Sequence, residues 1–257
     1  MSESALTIKL GGTAGAHGAS LAVLVERAEP GWVVVHGGGG EVGDWSRRLG
    51  VEPRTVDGLR VTDPETLEIA VAVLRGLVNA RLVATFVAAG VAAIGLSGAD
   101  GDLLRAERFD PRLGEVGRIS RVNAELLAAL AGAGQVPVVA PIARGDGPEL
   151  LNVNADEVAG AIAAARGGRL LLLTDVPGVL RDGEPVPTLT ADEAEGLLAG
   201  ETASGGMRPK LRAALTAARA GCPVAIVDGR SPEAVRAALD GKTTGTAVTA
   251  AAAARIG

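Results

Sequence analysis

Short apolar segments alternate with alanine-rich ones along this chain, and the apolar ones have the length of β-strands. Strands separated by helices pair in parallel, because each crossover helix carries the chain back over the sheet. The pattern predicts an α/β fold with a largely parallel sheet. Leu6–Leu10 and Trp32–His36 read as the first two strands, with Val91–Ser97, Val136–Ile142, Leu170–Thr174 and Pro223–Val227 following. Gly245–Thr249 reads as an edge strand, and Leu103–Phe109 with Glu115–Ser120 as a β-hairpin. Helices are expected at Ser20–Arg27, Glu41–Leu49, Asn123–Ala131 and Ala155–Arg166, then from Gly206 to Ala220 and from Ser231 to Leu239. Thr62-Asp63-Pro64-Glu65 reads as a capping box opening a long helix to about Ala89, and Thr190-Ala-Asp-Glu193 as another. No segment has linker composition, so two lobes, 1–155 and 156–257, are expected on one continuous sheet.

Composition removes several function classes. One cysteine, Cys222, excludes a disulfide framework, and two histidines, His17 and His36, exclude a histidine-rich zinc centre. A net charge of −5 and four aromatics argue against nucleic acid as a partner. No uninterrupted apolar run reaches the ~18 residues of a membrane span, and residues 1–10 lack a secretory pattern. A soluble, cytoplasmic enzyme with no membrane partner is the expectation.

Charge usage is the sharper signal. Of 25 lysines and arginines, only Lys9, Lys210 and Lys242 are lysines. In an arginine-dominated chain, a retained lysine marks a place for a compact ammonium rather than a planar fork. Lys9 precedes Gly11-Gly12 at the end of the first strand, and Lys210 follows Gly205-Gly206 at the start of a helix. Glycines at strand ends let backbone N–H groups approach an anion, and the next helix adds its positive end. His36 runs into Gly37–Gly40, a second loop of this kind. Gly38, Gly40 and Gly43 also satisfy G-x-G-x-x-G, but Asp57, at the ribose-binding spacing, ends no strand. There is no Walker A motif, since Arg236 stands where its first glycine belongs. His36 closes a buried strand, the position of a structural donor rather than a catalyst.

Two further clusters sit at element boundaries. Asn154 is placed as an N-cap, with Asp156 in the first turn of the following helix. Thr174-Asp175 ends the most apolar strand, where ligands bind in open α/β sheets. There is no Ser–His–Asp order, no metal-ligand cluster and no close carboxylate pair. Anion-cradling loops, two lysines and one carboxylate suit phosphoryl transfer, which needs mainly positioning and charge neutralisation. A carboxylate acceptor is already ionised at pH 7 and needs no general base.

Taken together these segments resemble the amino acid kinase family, and within it the acetylglutamate branch. The resemblance is carried by Ile8-Lys-Leu-Gly-Gly12, Val35-His-Gly-Gly-Gly39, Asp57-Gly-Leu-Arg-Val-Thr-Asp63 and Gly95-Leu-Ser-Gly-Ala-Asp-Gly101. It continues through Leu151-Asn-Val-Asn-Ala-Asp156, Leu172 to Leu180, and Gly205-Gly-Met-Arg-Pro-Lys210. It implies a three-layer α/β/α sandwich with a substrate lobe followed by an ATP lobe. It also implies transfer of the ATP γ-phosphoryl group to the side-chain carboxylate of N-acetyl-L-glutamate, in arginine biosynthesis. On that resemblance Lys9 and Lys210 stabilise the moving phosphoryl group and Asp156 orients both. Gly11, Gly12 and Gly38 donate backbone N–H groups to it. Gly38, Gly39, Arg60 and Asn152 hold the acyl amino acid. Asp175, Val176, Pro177, Gly178, Val179 and Leu180, with Thr202, Ala203 and Ser204, line the ATP site. Mg2+ rides on the nucleotide phosphates, with no protein metal site.

Two alternatives remain at this level. One is a kinase of the same fold acting on a carrier-protein-linked aminoadipate or glutamate, for which Arg47, Arg48, Arg54 and Arg60 would offer a basic mouth. The other is a non-catalytic ligand sensor, against which the two lysines and Asp156 argue. Only Met1–Ala5 precede the first strand, so the expectation is a homodimer indifferent to arginine. In the long helix, Leu67, Val71, Leu74, Val78 and Leu82 form a stripe that serves either that interface or the sheet.

Overall fold

A computed structural model describes residues 5–11, 18–56, 58–181, 183–200, 206–242 and 244–250. The first half contains β1 (Leu6–Leu10), α1 (Gly18–Arg27), β2 (Trp32–His36), α2 (Gly39–Arg48), β3 (Thr55–Val56) and β4 (Leu59–Arg60). Then come α3 (Pro64–Val71), a π-helical segment (Ala72–Val78), α4 (Asn79–Ala88), β5 (Ala93–Ser97), β6 (Leu104–Arg108), β7 (Val116–Val122) and α5 (Ala124–Gly132). They are followed by β8 (Val136–Ala140), β9 (Ile142–Arg144), β10 (Leu150–Val153), α6 (Ala155–Arg166), β11 (Arg169–Thr174) and the short pair β12 (Leu180–Arg181) and β13 (Glu184–Pro185). The chain ends with β14 (Thr188–Thr190), α7 (Ala191–Ala199), α8 (Met207–Arg219), β15 (Val224–Asp228), α9 (Pro232–Leu239) and β16 (Thr246–Thr249).

Eight strands form one sheet in the order β14-β16-β15-β11-β1-β2-β8-β5. All its pairings are parallel except β15 with β16. Strand alternation divides the core into two layers. Leu6, Ile8, Leu10, Leu171 and Leu173 pack with the long helix, α1 and α9 on one face. Leu170, Leu172, Val33 and Val35 pack with α6 and α8 on the other. The expected α/β/α sandwich is what the chain forms. On the same alternation Lys9 faces away from Ile8, into the layer of α6 and α8.

Several boundaries differ from the sequence expectation for identifiable reasons. Val136–Ile142 is two strands, because Pro141 has no N–H for the ladder and the chain leaves the sheet there. Its continuation, β9, joins β6, β7 and β10 in a small closed barrel. Gly245–Thr249 is not an edge: β16 lies between β14 and β15. The cap of α3 is Asp63, whose carboxylate accepts the Thr66 N–H at 2.9 Å, rather than Thr62. Thr62 is buried and serves the cleft described below. At Thr190 the capping box forms as expected.

Pro64–Ala88 is one helical rod of 25 residues, apolar enough by length and composition to cross a membrane. Its apolar content has a local explanation: Ile69, Val73, Leu74, Val78, Leu82 and Phe86 are buried against the sheet. The stripe of Leu74, Val78 and Leu82 thus belongs to the core and not to an interface. Leu77 and Val87, on other faces of the rod, are exposed.

This layer also buries a titratable group. His36, at the end of β2, is completely enclosed. Burial pushes its pKa down from 6.5 to about 4, with Arg75 acting in the same direction and Gly37 and Glu41 opposing. Between those two values the unfolded chain takes up a proton that the folded one refuses. Stability is therefore unaffected above about pH 7 and falls as pH drops toward 4. We expect His36 alone to cost about 2 kcal/mol between pH 7 and pH 5. Urea denaturation at the two pH values should show a smaller loss in His36→Gln than in the parent by about that amount.

Candidate active site

Three chain segments converge on one carboxylate. Lys9 comes from β1, Asp156 from the first turn of α6 and Lys210 from the first turn of α8. Lys9 Nζ lies 3.0 Å from Asp156 Oδ1, and Lys210 Nζ donates to Asp156 Oδ2 at 3.3 Å. Lys9 and Asp156 are almost fully buried. Burial lowers the Lys9 pKa, Asp156 pulls it back up, and Lys210 lowers it again. Two ammonium groups this close require the carboxylate between them. The trio still carries one net positive charge in a desolvated place, an arrangement that favours an incoming anion.

Local chemistry fixes each member. Asn154 caps α6 by accepting the Asp156 and Glu157 N–H groups at 2.8 and 3.3 Å. Glu157 in turn accepts the Ile119 N–H at 2.8 Å, which ties α6 to β7 of the barrel. Helices α6 and α8 pack closely at Gly160, where a Cβ would lie 2.7 Å from Ala213 O. That contact is about one turn from both Asp156 and Lys210. Gly11 has no room for a side chain either, because Leu173 O of β11 occupies the place.

Lys9 and Asp156 border a cleft of about 540 Å3 that is also lined by Gly37–Gly40, Arg60, Asn152 and Leu74. Helix α2 begins two residues earlier than the sequence indicates, so Gly39 and Gly40 form its first turn. Gly38 has φ +151°, and a Cβ there would meet Leu74 Cδ2 at 2.7 Å. Gly39 has open space beside it, so packing does not demand a glycine there. Arg60 sits at the end of the β3–β4 hairpin and donates from Nη2 to Gly39 O at 2.6 Å. Its Nη1 is buried with no acceptor among the described residues. Burial, reinforced by Arg47, lowers its pKa. Asn152 donates to the Thr62 hydroxyl at 3.1 Å, and that hydroxyl donates to Arg60 O at 3.3 Å. Thr62 thereby links the two elements that carry Arg60 and Asn152.

The cleft thus unites Lys9, Gly38, Gly39, Arg60, Asn152 and Asp156, with Lys210 reaching it through Asp156. Asp175, Val176, Pro177, Gly178, Val179 and Leu180 follow the carboxyl end of β11 and do not line this cleft. Gly178 and Val179 serve packing: the Val179 N–H donates to Thr246 Oγ1 at 2.8 Å and its side chain is buried. Gly12, Asp57, Thr202, Ala203, Ser204 and Gly205 lie outside the described residues. Of the four arginines expected at the mouth, Arg60 lines the cleft and Arg47 lies beside Arg60. Arg47 pairs with Asp44, Arg54 pairs with Asp63, and Arg48 lies over the Trp45 ring. Sequence reasoning missed Thr62 and Asn79. The available signal for Asn79 was a polar residue at a core-facing position of an apolar helix. Among the described residues, no three His, Cys, Asp or Glu side chains group to hold a metal.

Comparisons with known proteins identify the family. The family model described as "Amino acid kinase family" matches residues 6–228. Acetylglutamate kinase from Methanopyrus kandleri is 52% identical over 207 residues, covering 76% of this chain and 84% of that protein. Acetylglutamate kinase from Rubrobacter xylanophilus is 52% identical over 217 residues, covering 84% of this chain and 85% of that protein. Among solved structures, smu.665 from Streptococcus mutans UA159 superposes with a TM-score of 0.83 at 26% identity, covering 97% of this chain and 100% of that one. With its buried lysine–aspartate–lysine group beside a glycine-lined cleft, the chain belongs to the amino acid kinase family, in its acetylglutamate kinase group.

Proposed function

We propose that this chain transfers the γ-phosphoryl group of ATP to the side-chain carboxylate of N-acetyl-L-glutamate, giving an acyl phosphate for arginine biosynthesis. The observation that carries the reading is that Lys9 and Asp156, the latter shared with Lys210, border a cleft also lined by Arg60, whose buried Nη1 has no acceptor among the described residues. Arg60 pairs the α-carboxylate of the substrate. Asn152 has given its N–H to Thr62, so its carbonyl oxygen is left to accept the acetamido N–H. The side-chain carboxylate then points toward Lys9. It is ionised at neutral pH and attacks phosphorus without a general base.

During transfer negative charge leaves the acceptor carboxylate and builds on the bridging oxygen of the departing ADP, while the equatorial oxygens carry the charge of the moving group. Lys9 and Lys210 neutralise it from two sides, and Asp156 keeps both ammonium groups aimed. Gly11, Gly12 and Gly38 add backbone N–H groups. The lobe 1–155 holds the acyl amino acid, and the lobe 156–257 holds ATP along Asp175–Leu180 and Thr202–Ser204. Mg2+ enters on the ATP phosphates. Both oxygens of Asp156 already face ammonium groups, so this carboxylate is not free to ligate the metal. The protein acts in the cytoplasm, without nucleic-acid or membrane partners. It works as a homodimer through the open edge of β5 and the exposed Leu77 and Val87, since a bare sheet edge beside apolar surface invites a second copy.

Three measurements test this reading. Arg60→Ala should raise KM for N-acetylglutamate at least tenfold and leave KM for ATP within twofold, because a charge-assisted pair to the ground-state substrate is lost. The reverse pattern would reassign the cleft to the nucleotide. Lys210→Arg should lower kcat at least ~100-fold, the scale of losing one donor to transition-state charge; near-parental turnover would remove Lys210 from the mechanism. Light scattering should give twice the chain mass of 25.6 kDa, and the Leu77→Glu, Val87→Glu double variant should give that mass once. A monomeric parent would refute the assembly.

A further inference from the structure

The rod beneath the glycine loop is irregular where it passes the site. Ala72–Val78 is π-helical, and the Asn79 N–H reaches Leu74 O, five residues back. Such a turn gives up good hydrogen-bond geometry and occurs mostly where side chains must be re-aimed. Leu74 and Val78 are the side chains that abut Gly38. Asn79, the first residue after the turn, is completely buried and points at the end of β2.

Its side chain sits in a chain of hydrogen bonds. Arg75 donates to Asp100 at 3.3 Å, to Gly95 O at 3.2 Å and to Asn79 Oδ1 at 3.4 Å. Asn79 Nδ2 donates to Val138 O at 2.8 Å and lies 3.1 Å from His36 Nε2. His36 Nδ1 lies 2.8 Å from Gly37 O. An amide nitrogen can only donate, so Nε2 accepts and the imidazole proton resides on Nδ1, which donates to Gly37 O. The direction of every bond follows from Asn79. Gly95 is a glycine because the Asn79 amide fills the place of its Cβ.

The last bond has a geometric consequence. A trans peptide is planar, and its C=O and N–H point in opposite directions. Holding Gly37 O on the imidazole therefore turns the Gly38 N–H away from it. That N–H has no acceptor among the described residues, and Gly38 lines the cleft.

We propose that Asn79, braced by Arg75, is a positioning residue for the reaction: it fixes the His36 tautomer that holds the Gly37 carbonyl, and so aims the Gly38 N–H at the anionic group in the cleft. The proposal rests on the reading of the glycine loop given above. It assigns the π-helical turn a task, the placing of Leu74, Val78 and Asn79 under one peptide.

Asn79→Asp tests it through pH. Aspartate keeps the Arg75 contact but only accepts, so a neutral His36 moves its proton to Nε2 and releases Gly37 O. An imidazolium carries both protons and restores the bond. The charged groups facing His36 are Glu41 from α2 and Arg75 from the rod, with Asp100 behind Arg75. We expect kcat of Asn79→Asp to be at least tenfold below the parent at pH 8. We expect the ratio to recover at least threefold at pH 6, with KM for ATP changed less than kcat. A purely structural loss would lower activity by the same factor at both pH values. A ratio that is constant with pH, or near one at pH 8, would overturn the proposal.

If the variant does not fold, the parent decides. Nitrogen-detected NMR of the two histidines should show His36 as the neutral Nδ1–H tautomer from pH 5.5 to 8, with His36→Gln assigning the signal. An Nε2–H tautomer would overturn it. The two readings fail separately. Arg60→Ala without a KM effect removes the cleft assignment, whereas a normal Arg60→Ala with a pH-insensitive Asn79→Asp removes the positioning role alone.

Discussion

Two lysines share one buried aspartate, and the rest of the architecture can be understood as what holds them there. Lys9 and Lys210 would repel each other strongly in a desolvated site without the carboxylate between them. The three groups come from β1, α6 and α8, so none can form the arrangement locally. Strand alternation sends Lys9 to the α6 side of the sheet. Close approach of α6 to α8 at Gly160 brings Asp156 within reach of Lys210. The Asn154 cap and the bond from Ile119 to Glu157 fix the first turn of α6.

The cleft is built on a different principle. There the structure relies on backbone exposed without side chains, and on donors left without acceptors. The glycine loop lies where β2 ends and α2 begins. The chain leaves β1 for β2 on one side of the sheet and returns to β11 on the other, so a crevice opens beside β1. Arg60 and Asn152 belong to separate elements, the hairpin and the barrel, and the buried Thr62 hydroxyl joins them. Beneath the loop, the π-helical turn brings Leu74 and Val78 against Gly38 and the Asn79 amide against His36. Lysine charge and oriented amides thus reach the cleft from opposite directions, each backed by its own layer of the core.

Local signals in the sequence carried far. Apolar segments of strand length gave the parallel sheet, and α6 runs from Ala155 to Arg166 as its capping and composition indicate. Scarce lysines beside glycine pairs marked the charged centre, because that pattern is written in consecutive residues. Elements decided by neighbours were less legible. Pro141 looked like a strand residue until its missing N–H had to be matched to a ladder. Thr62 looked like a cap, because the residues it bonds, Arg60 and Asn152, include one that is 90 positions away. The edge assignment for β16 failed because strand order is a property of the whole sheet.

What the sequence determined by itself was the inventory: the α/β class, the two glycine loops at strand ends, Lys9, Asp156 and Lys210, and the family resemblance. Those follow from periodicity, capping chemistry and residue type, which act over a few positions. The tertiary structure alone decided which groups meet. It set both lysines on one carboxylate, turned the apolar stripe of the long helix inward, left Arg60 Nη1 buried without an acceptor among the described residues and placed Asn79 against His36. The physical reason is that hydrogen-bond direction and desolvation depend on neighbours in space, and a one-dimensional pattern names the donors without saying what each will face.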